Sequence, residues 1–272
     1  MSTNPRPTKQ QRRDAARQAR IDAERAQAAA TVRRRRIRTV LAVLGAAAVV
    51  VVIAIVVSSS GGGSAKNRPA AAQKSNGPIP GQKESAAMLD GIPQSGIYLG
   101  KPAAPVRLVE FADLQCPFCR EYSLQTLPQL VQDYVRNGKV RMEFRNLSFI
   151  GDDSVTAGRA ASAAGEQNRL WNFIDVFYYN QGEENSGYVT QQFLNTIYSA
   201  AGVDATKANA FAQTPAAFKP LAAANTLADQ HGVNSTPTIL VGKRGGGLTK
   251  VNAAPTDTNA YKKAIDGLLG QA

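Results

Sequence analysis

Alternation and helical spacing divide the C-terminal two thirds of the chain into elements. Residues 106–112 (VRLVEFA) form a short apolar run of strand type that stops at Asp113. Over 117–137, Leu124, Leu127, Leu130, Val131 and Val135 recur at helical spacing, and Gly138 predicts the stop. Residues 140–144 (VRMEF) alternate apolar and charged positions, as a strand with one covered face does. Strand, helix and strand within about forty residues make a βαβ unit, for which a parallel, right-handed crossover is expected.

The next stretch carries no convincing strand pattern, and 153–164, 170–179, 191–201 and 206–230 all read as helices, much of them alanine-rich. Leu170, Phe173, Ile174 and Phe177 lie at i, i+3, i+4 and i+7, a stripe that any core-facing helix shows and that needs no cofactor to explain it. Beyond them, 238–241 (TILV) reads as a strand, 242–247 as a hairpin-like turn and 248–251 as its antiparallel return. A last helix over 259–269 brings Tyr261, Ile265, Leu268 and Leu269 to one side. The predicted order is βαβ, a helical insertion, then ββα, an α/β class. No internal repeat is visible.

Near the N-terminus the pattern is of another kind. Residues 40–57 (VLAVLGAAAVVVVIAIVV) are eighteen without a charge, long enough at about 1.5 Å per residue to cross the hydrocarbon of a bilayer. We expect a single transmembrane helix over 39–57, in contact with lipid, after a basic tail over 1–38. RRRRIR precedes the span and few positive charges follow it closely, so the positive-inside rule expects a cytoplasmic N-terminus and an extracytoplasmic C-terminal domain at the cell membrane. A cleaved signal peptide is the rival reading, with small residues at Gly63-Ser64-Ala65, but the segment before the apolar run is too long and the run itself exceeds a usual signal core. No cysteine lies near residue 60 to be acylated, which excludes a lipoprotein anchor. Residues 58–87 are small, polar and rich in Gly, Ser and Pro, and read as a flexible linker, leaving 88–272 as the folded domain.

Charge alters this picture less than its total suggests. The chain carries a formal +12, but residues 1–38 hold twelve Lys or Arg against three Asp or Glu, so +3 remains for the other 234 residues. A nearly neutral folded part offers no face for nucleic acid, and no nucleic-acid partner is expected. At 272 residues and 43% hydrophobic content the chain can bury one substantial core.

The candidate chemistry sits where the first strand meets the first helix. Both cysteines of the chain, Cys116 and Cys119, lie in CPFC. At a helix N-terminus the orphan N–H groups and the dipole stabilise a thiolate on Cys116, and Pro117 suits the first turn because its missing N–H has no partner there anyway. Cys119 is one turn on, within disulfide reach, so the pair can open and close with little movement of the backbone. An inert clasp remains open, although so small a loop removes little unfolded-state entropy. A metal site lacks ligands, since His231 is the only histidine and is distant; His231 before Gly232 reads as a helix-end residue. No metal and no cofactor is expected.

The run 98–119 (YLGKPAAPVRLVEFADLQCPFC), together with HGVNSTPTILVG at 231–242, resembles the DsbA-like family of thiol:disulfide oxidoreductases in its membrane-anchored bacterial branch. The resemblance covers residue 88 to the end and implies a thioredoxin-like fold with a helical insertion. It makes Cys116 the attacking thiol and Cys119 the resolving one, the two forming a redox-active disulfide. Thr236-Pro237 matches the family's cis-proline pair facing the cysteines, so that Thr236, Pro237 and Phe118 contact substrate. Glu110 matches an acidic position that relays the proton of Cys119; read from sequence alone, a solvated strand-end carboxylate is an equal alternative. The implied partners are exported proteins with cysteines and a membrane redox partner that reoxidises or reduces the pair. Many strongly oxidising relatives carry histidine where this chain has Phe118, so the resemblance leaves open whether the enzyme oxidises, reduces or isomerises. A non-catalytic adaptor with a closed CPFC is the reading from another class.

Overall fold

The computed structural model describes residues 77–270. The basic tail 1–38, the apolar run 39–57 and the greater part of the linker lie outside the described residues. Among the described residues no helix is long and apolar enough to cross a membrane.

Ordered structure begins earlier than the pattern suggests. Helix α1 (Gln82–Leu89) begins in the stretch read as linker and runs two residues into the expected domain; it buries only Ser85 and Leu89, too few positions to register as a stripe. Two short strands follow, β1 (Gln94–Ser95) and β2 (Tyr98–Leu99), each too short to show alternation. Strand β3 (Val106–Ala112) is covered on both faces along nearly its whole length, which is why its apolar run is almost continuous.

The cysteine helix starts as α2 (Pro117–Glu121), passes through a π-helical turn at Tyr122–Thr126, continues as α3 (Leu127–Leu130) and ends in a second π turn at Val131–Val135. Sequence spacing gives one unbroken α-helix over 117–137. Pro128 explains the first departure: it has no N–H and its ring would meet a carbonyl one turn back, and the widened turn just before it makes room. Gly138, with φ at 72°, then turns the chain into β4 (Val140–Asn146).

The insertion comprises α4 (Asp152–Glu166), α5 (Leu170–Tyr179), α6 (Gln191–Ala200) and α7 (Ala205–Ala212). The helix expected over 206–230 is broken: a 3-10 turn at Pro215–Phe218 separates α7 from α8 (Lys219–Gln230), because Pro215 and Pro220 each remove an N–H and fit only at the start of a turn. Strands β5 (Thr238–Lys243) and β6 (Thr249–Lys250) and helix α9 (Thr258–Leu269) complete the chain.

The six strands lie in the order β1-β2-β4-β3-β5-β6. β3 pairs with β4 in parallel, Val106 opposite Val140 through Ala112 opposite Asn146, and with β5 antiparallel. One face of the sheet packs Val109, Phe111 and Leu240 against Ala224 and Ala228 of α8. The other carries Leu108, Ala112 and Met142 into the core shared with the cysteine helix and α9, where Tyr122 and Tyr261 meet edge to face at 5.4 Å.

The aromatic stripe of α5 is core: Phe173 packs at a tilt on Tyr198 and Phe177 meets Phe193 edge to face, both partners on α6, while the buried alanines of α4 leave room for close helix contact. Where the described residues begin, side chains at the ends of α5 and the cysteine helix hold the incoming chain. Asn180 donates to the Pro80 carbonyl at 2.8 Å, and the Arg136 guanidinium, at the far end of the cysteine helix, donates to the carbonyls of Met88 and Asp90.

Candidate functional site

The site is assembled at the C-terminal end of β3, where the chain turns through Asp113 to Gln115 into the cysteine helix. Cys116 is the N-cap, in extended conformation, with Pro117 beginning the helix. Cys116 is 5% exposed and Cys119 fully buried, both as free thiols. Their environments push them apart. A hydrogen bond from the Cys119 thiol, helped by the Thr236 side chain and the N–H groups of Cys119 and Phe118, outweighs burial and lowers Cys116 to about 6. Burial raises Cys119 well above the usual thiol range, and the hydrogen bond and charge of Cys116 add to it.

The Thr236–Pro237 peptide is cis, and the Thr236 carbonyl faces the Cys116 sulfur at 3.5 Å although the two lie 120 positions apart. Both residues of that turn are half-buried. Phe118, between the cysteines, is 57% exposed, so its ring stands on the rim. Phe149 is as open, and its N–H is bonded to the Asp113 carboxyl. His231 caps the end of α8.

Glu110 settles the alternative that sequence left open: it is buried, not solvated. No group among the described residues hydrogen-bonds either carboxyl oxygen, and burial raises its pKa to about 8. The hydroxyl of Tyr122 is likewise buried and unpartnered; burial, with the nearby Glu110 carboxyl, raises it.

Several residues that hold the site have no signal in the sequence. The Tyr178 hydroxyl donates to the Asp113 carbonyl at 3.2 Å, and the Gln181 amide donates to the carbonyls of Leu114 and Cys116 at 2.8 and 3.1 Å. Arg120 donates back to the Tyr178 carbonyl at 2.9 Å. Each bond joins the CPFC turn to the insertion, and only the fold brings the partners together. Among the described residues no three His, Cys, Asp or Glu side chains gather to hold a metal ion. Two thiols of opposed ionisation at a helix start, beside the half-buried Thr236–Pro237 turn, form an arrangement suited to thiol–disulfide exchange.

Comparison with known proteins agrees with this geometry. Residues 93–266 match a family model described as thioredoxin. A 101-residue stretch is 40% identical to a probable disulfide bond formation protein D of Bacillus cereus, covering 36% of this chain and 47% of that one. The disulfide bond formation protein D of Bacillus subtilis is 30% identical over 101 residues, again 36% of this chain and 46% of the relative. The chain spans about half the length of the curated relatives it matches. In fold it is similar to oxidised BdbD from Bacillus subtilis, with TM-score 0.58 and 22% identity over 65% of this chain and 96% of the other. It is also similar to alpha-DsbA1 from Wolbachia pipientis, with TM-score 0.57 and 18% identity over 67% and 93%.

Proposed function

The chain belongs to the thioredoxin family, and from that premise we propose that it is an extracytoplasmic, membrane-anchored, DsbA-like thiol:disulfide oxidoreductase that forms disulfides in exported proteins. The observation that carries the reading is the division between the two sulfurs: Cys116 at the helix start, drawn toward the thiolate by the Cys119 thiol, the Thr236 side chain and the N–H groups of Cys119 and Phe118, and Cys119 sealed and protonated. A low thiol pKa stabilises the reduced pair and so makes its disulfide the stronger oxidant. That the similar Bacillus proteins are named for disulfide bond formation supports the same direction.

In the oxidised enzyme a client thiolate attacks Cys116 Sγ, forming a client–Cys116 disulfide while the bond to Cys119 breaks and its sulfur leaves as a thiolate. Glu110, protonated at neutral pH in its buried position, supplies the proton that Cys119 takes up. A second client thiolate attacks the client sulfur of the mixed disulfide and expels Cys116 as its thiolate. The client has lost two electrons and the enzyme pair has gained them; a membrane redox partner then accepts both and restores the disulfide. The client's extended backbone pairs with Thr236, Pro237 shapes that turn, and Phe118 packs on the client's side chains.

Two measurements test this. Oxidised enzyme should convert a reduced dithiol client to its disulfide mole for mole, with the glutathione equilibrium on the oxidising side of thioredoxin's roughly −270 mV. Acceleration only of scrambled-disulfide rearrangement would assign isomerisation instead, and no exchange with any client would leave an adaptor. In right-side-out cells an added protease should cut within 58–87 and spare 1–38; a protected linker would end the outward-facing assignment.

A further inference from the structure

Asp113 is fully buried and has no cationic partner among the described residues, yet its carboxyl oxygens are all occupied. Oδ1 accepts from the Gln115 N–H at 2.9 Å and the Ser154 hydroxyl at 2.7 Å; Oδ2 accepts from the N–H groups of Phe149 and Ile150 at 3.0 and 3.1 Å. A side chain that receives four hydrogen bonds and gives none accepts as a carboxylate does. The donors come from three places: the CPFC turn itself, the loop after β4, and the first turn of α4.

The backbone of the same residue is tied to both cysteines, to the main chain of one and the sulfur of the other. Its carbonyl accepts from the Cys116 N–H at 3.0 Å, and its N–H bonds to the Cys119 sulfur. A second layer locks the first: the Gln115 amide donates to Ser154 Oγ at 3.0 Å, and the Gln115 carbonyl oxygen accepts from the Asn185 N–H at 2.7 Å. Charge-assisted bonds to a buried carboxylate are the stronger kind and leave little freedom to the groups they tie.

We infer that Asp113 is a positioning residue through which the helical insertion fixes the CPFC turn and so sets the redox equilibrium of the cysteine pair. It touches no client and transfers no proton. Its effect runs through the turn: while the clamp holds, the N–H groups of Phe118 and Cys119 and the Thr236 turn stay aimed at Cys116, and a looser turn withdraws those donors from the thiolate but costs a disulfide less. The inference rests on the proposed redox role of the pair, but the equilibrium it concerns exists for these two thiols whether or not the chain serves clients.

The test uses the full chain in mild detergent with three variants. Ser154→Ala removes one donor and keeps the charge. Asp113→Asn keeps one acceptor oxygen and turns an NH2 toward two N–H donors. Ser154→Thr restores the hydroxyl. Ser154→Ala should shift the glutathione equilibrium at least threefold toward the disulfide form, and Asp113→Asn at least tenfold, about 30 mV for a two-electron couple. In both, the pH midpoint of Cys116 alkylation should rise, and Ser154→Thr should match the parent. Removing a negative charge alone would lower that midpoint, so a fall in Asp113→Asn with Ser154→Ala unmoved would overturn positioning and leave only an electrostatic effect. Parental equilibria in folded Asp113→Asn and Ser154→Ala, with unchanged near-ultraviolet dichroism, would overturn it as well. Should Asp113→Asn not fold, the Ser154 pair decides alone. A parent with a normal glutathione equilibrium and no client oxidation would count against the proposed function and not against this inference.

Discussion

Cys119→Ser is expected to abolish catalytic disulfide transfer and to collect clients as mixed disulfides on residue 116, while Cys116→Ser should collect none. Near neutral pH, Cys116, lowered to about 6, is mostly thiolate, whereas burial keeps Cys119 in its thiol form. A thiolate at Cys116 attacks a client disulfide and forms the mixed species; without a second sulfur one turn away, nothing inside the enzyme expels the client, and release waits on an external thiol. In the converse variant the remaining sulfur is fully buried and protonated, and neither attacks nor is reached. Non-reducing electrophoresis followed by peptide mass spectrometry reads both results. Adducts on Cys119 in the Cys116→Ser chain, or preferential alkylation of Cys119 in the reduced parent, would reverse the proposed division of labour.

The second large effect concerns stability. Glu110 has an ordinary pKa of 4.5 that burial raises to about 8. Between those values the folded chain holds a proton that the unfolded chain has released, so stability is greatest below the lower value and declines as pH rises toward the upper one. At about 1.4 kcal/mol per pKa unit the decline amounts to as much as about 5 kcal/mol. Glu110→Leu keeps the volume and removes the acid, so the variant should be more stable than the parent at pH 8 and show a much flatter dependence from pH 5 to 8. Denaturant unfolding of the oxidised chain keeps the cysteine titrations out of the comparison. Asp175, which burial raises to about 7, leaves a residual slope in both proteins. Equal slopes in parent and variant would show that Glu110 ionises freely inside the fold.

How far the sequence carries depends on what each feature leaves in one dimension. β3 was legible because a strand covered on both faces leaves an apolar run, and the cysteine helix because its buried positions recur every turn. The π turns leave no periodic trace; only Pro128 hints at them. Most of α1 reads as linker because two buried residues in eight make no stripe. CPFC and Thr236-Pro237 could be found as motifs, and their juxtaposition followed from resemblance alone. The burial of Glu110 could not be read, since an acid in a strand looks the same whether the layer above it is water or Tyr122. The Asp113 clamp was least legible of all, because its partners lie up to 41 positions away and are largely backbone N–H groups, which every residue type supplies.

The stitching of the chain where it joins the fold has a mechanical side. A pull arriving from the N-terminal direction meets the Asn180 amide on Pro80 and then the Arg136 guanidinium on the end of α1 before it reaches the sheet. Arg136 follows the last turn of the cysteine helix, while Cys116 caps its first. The first contact to take load is thus the Asn180 amide on Pro80, at the end of α5, and after it come the surface bonds of Arg136, at the end of the cysteine helix remote from the sulfurs. Because Asn180 adjoins Gln181, whose amide holds the Leu114 and Cys116 carbonyls, load on the first contact is passed toward the CPFC turn through the end of α5, whereas load on Arg136 enters the cysteine helix at its far end.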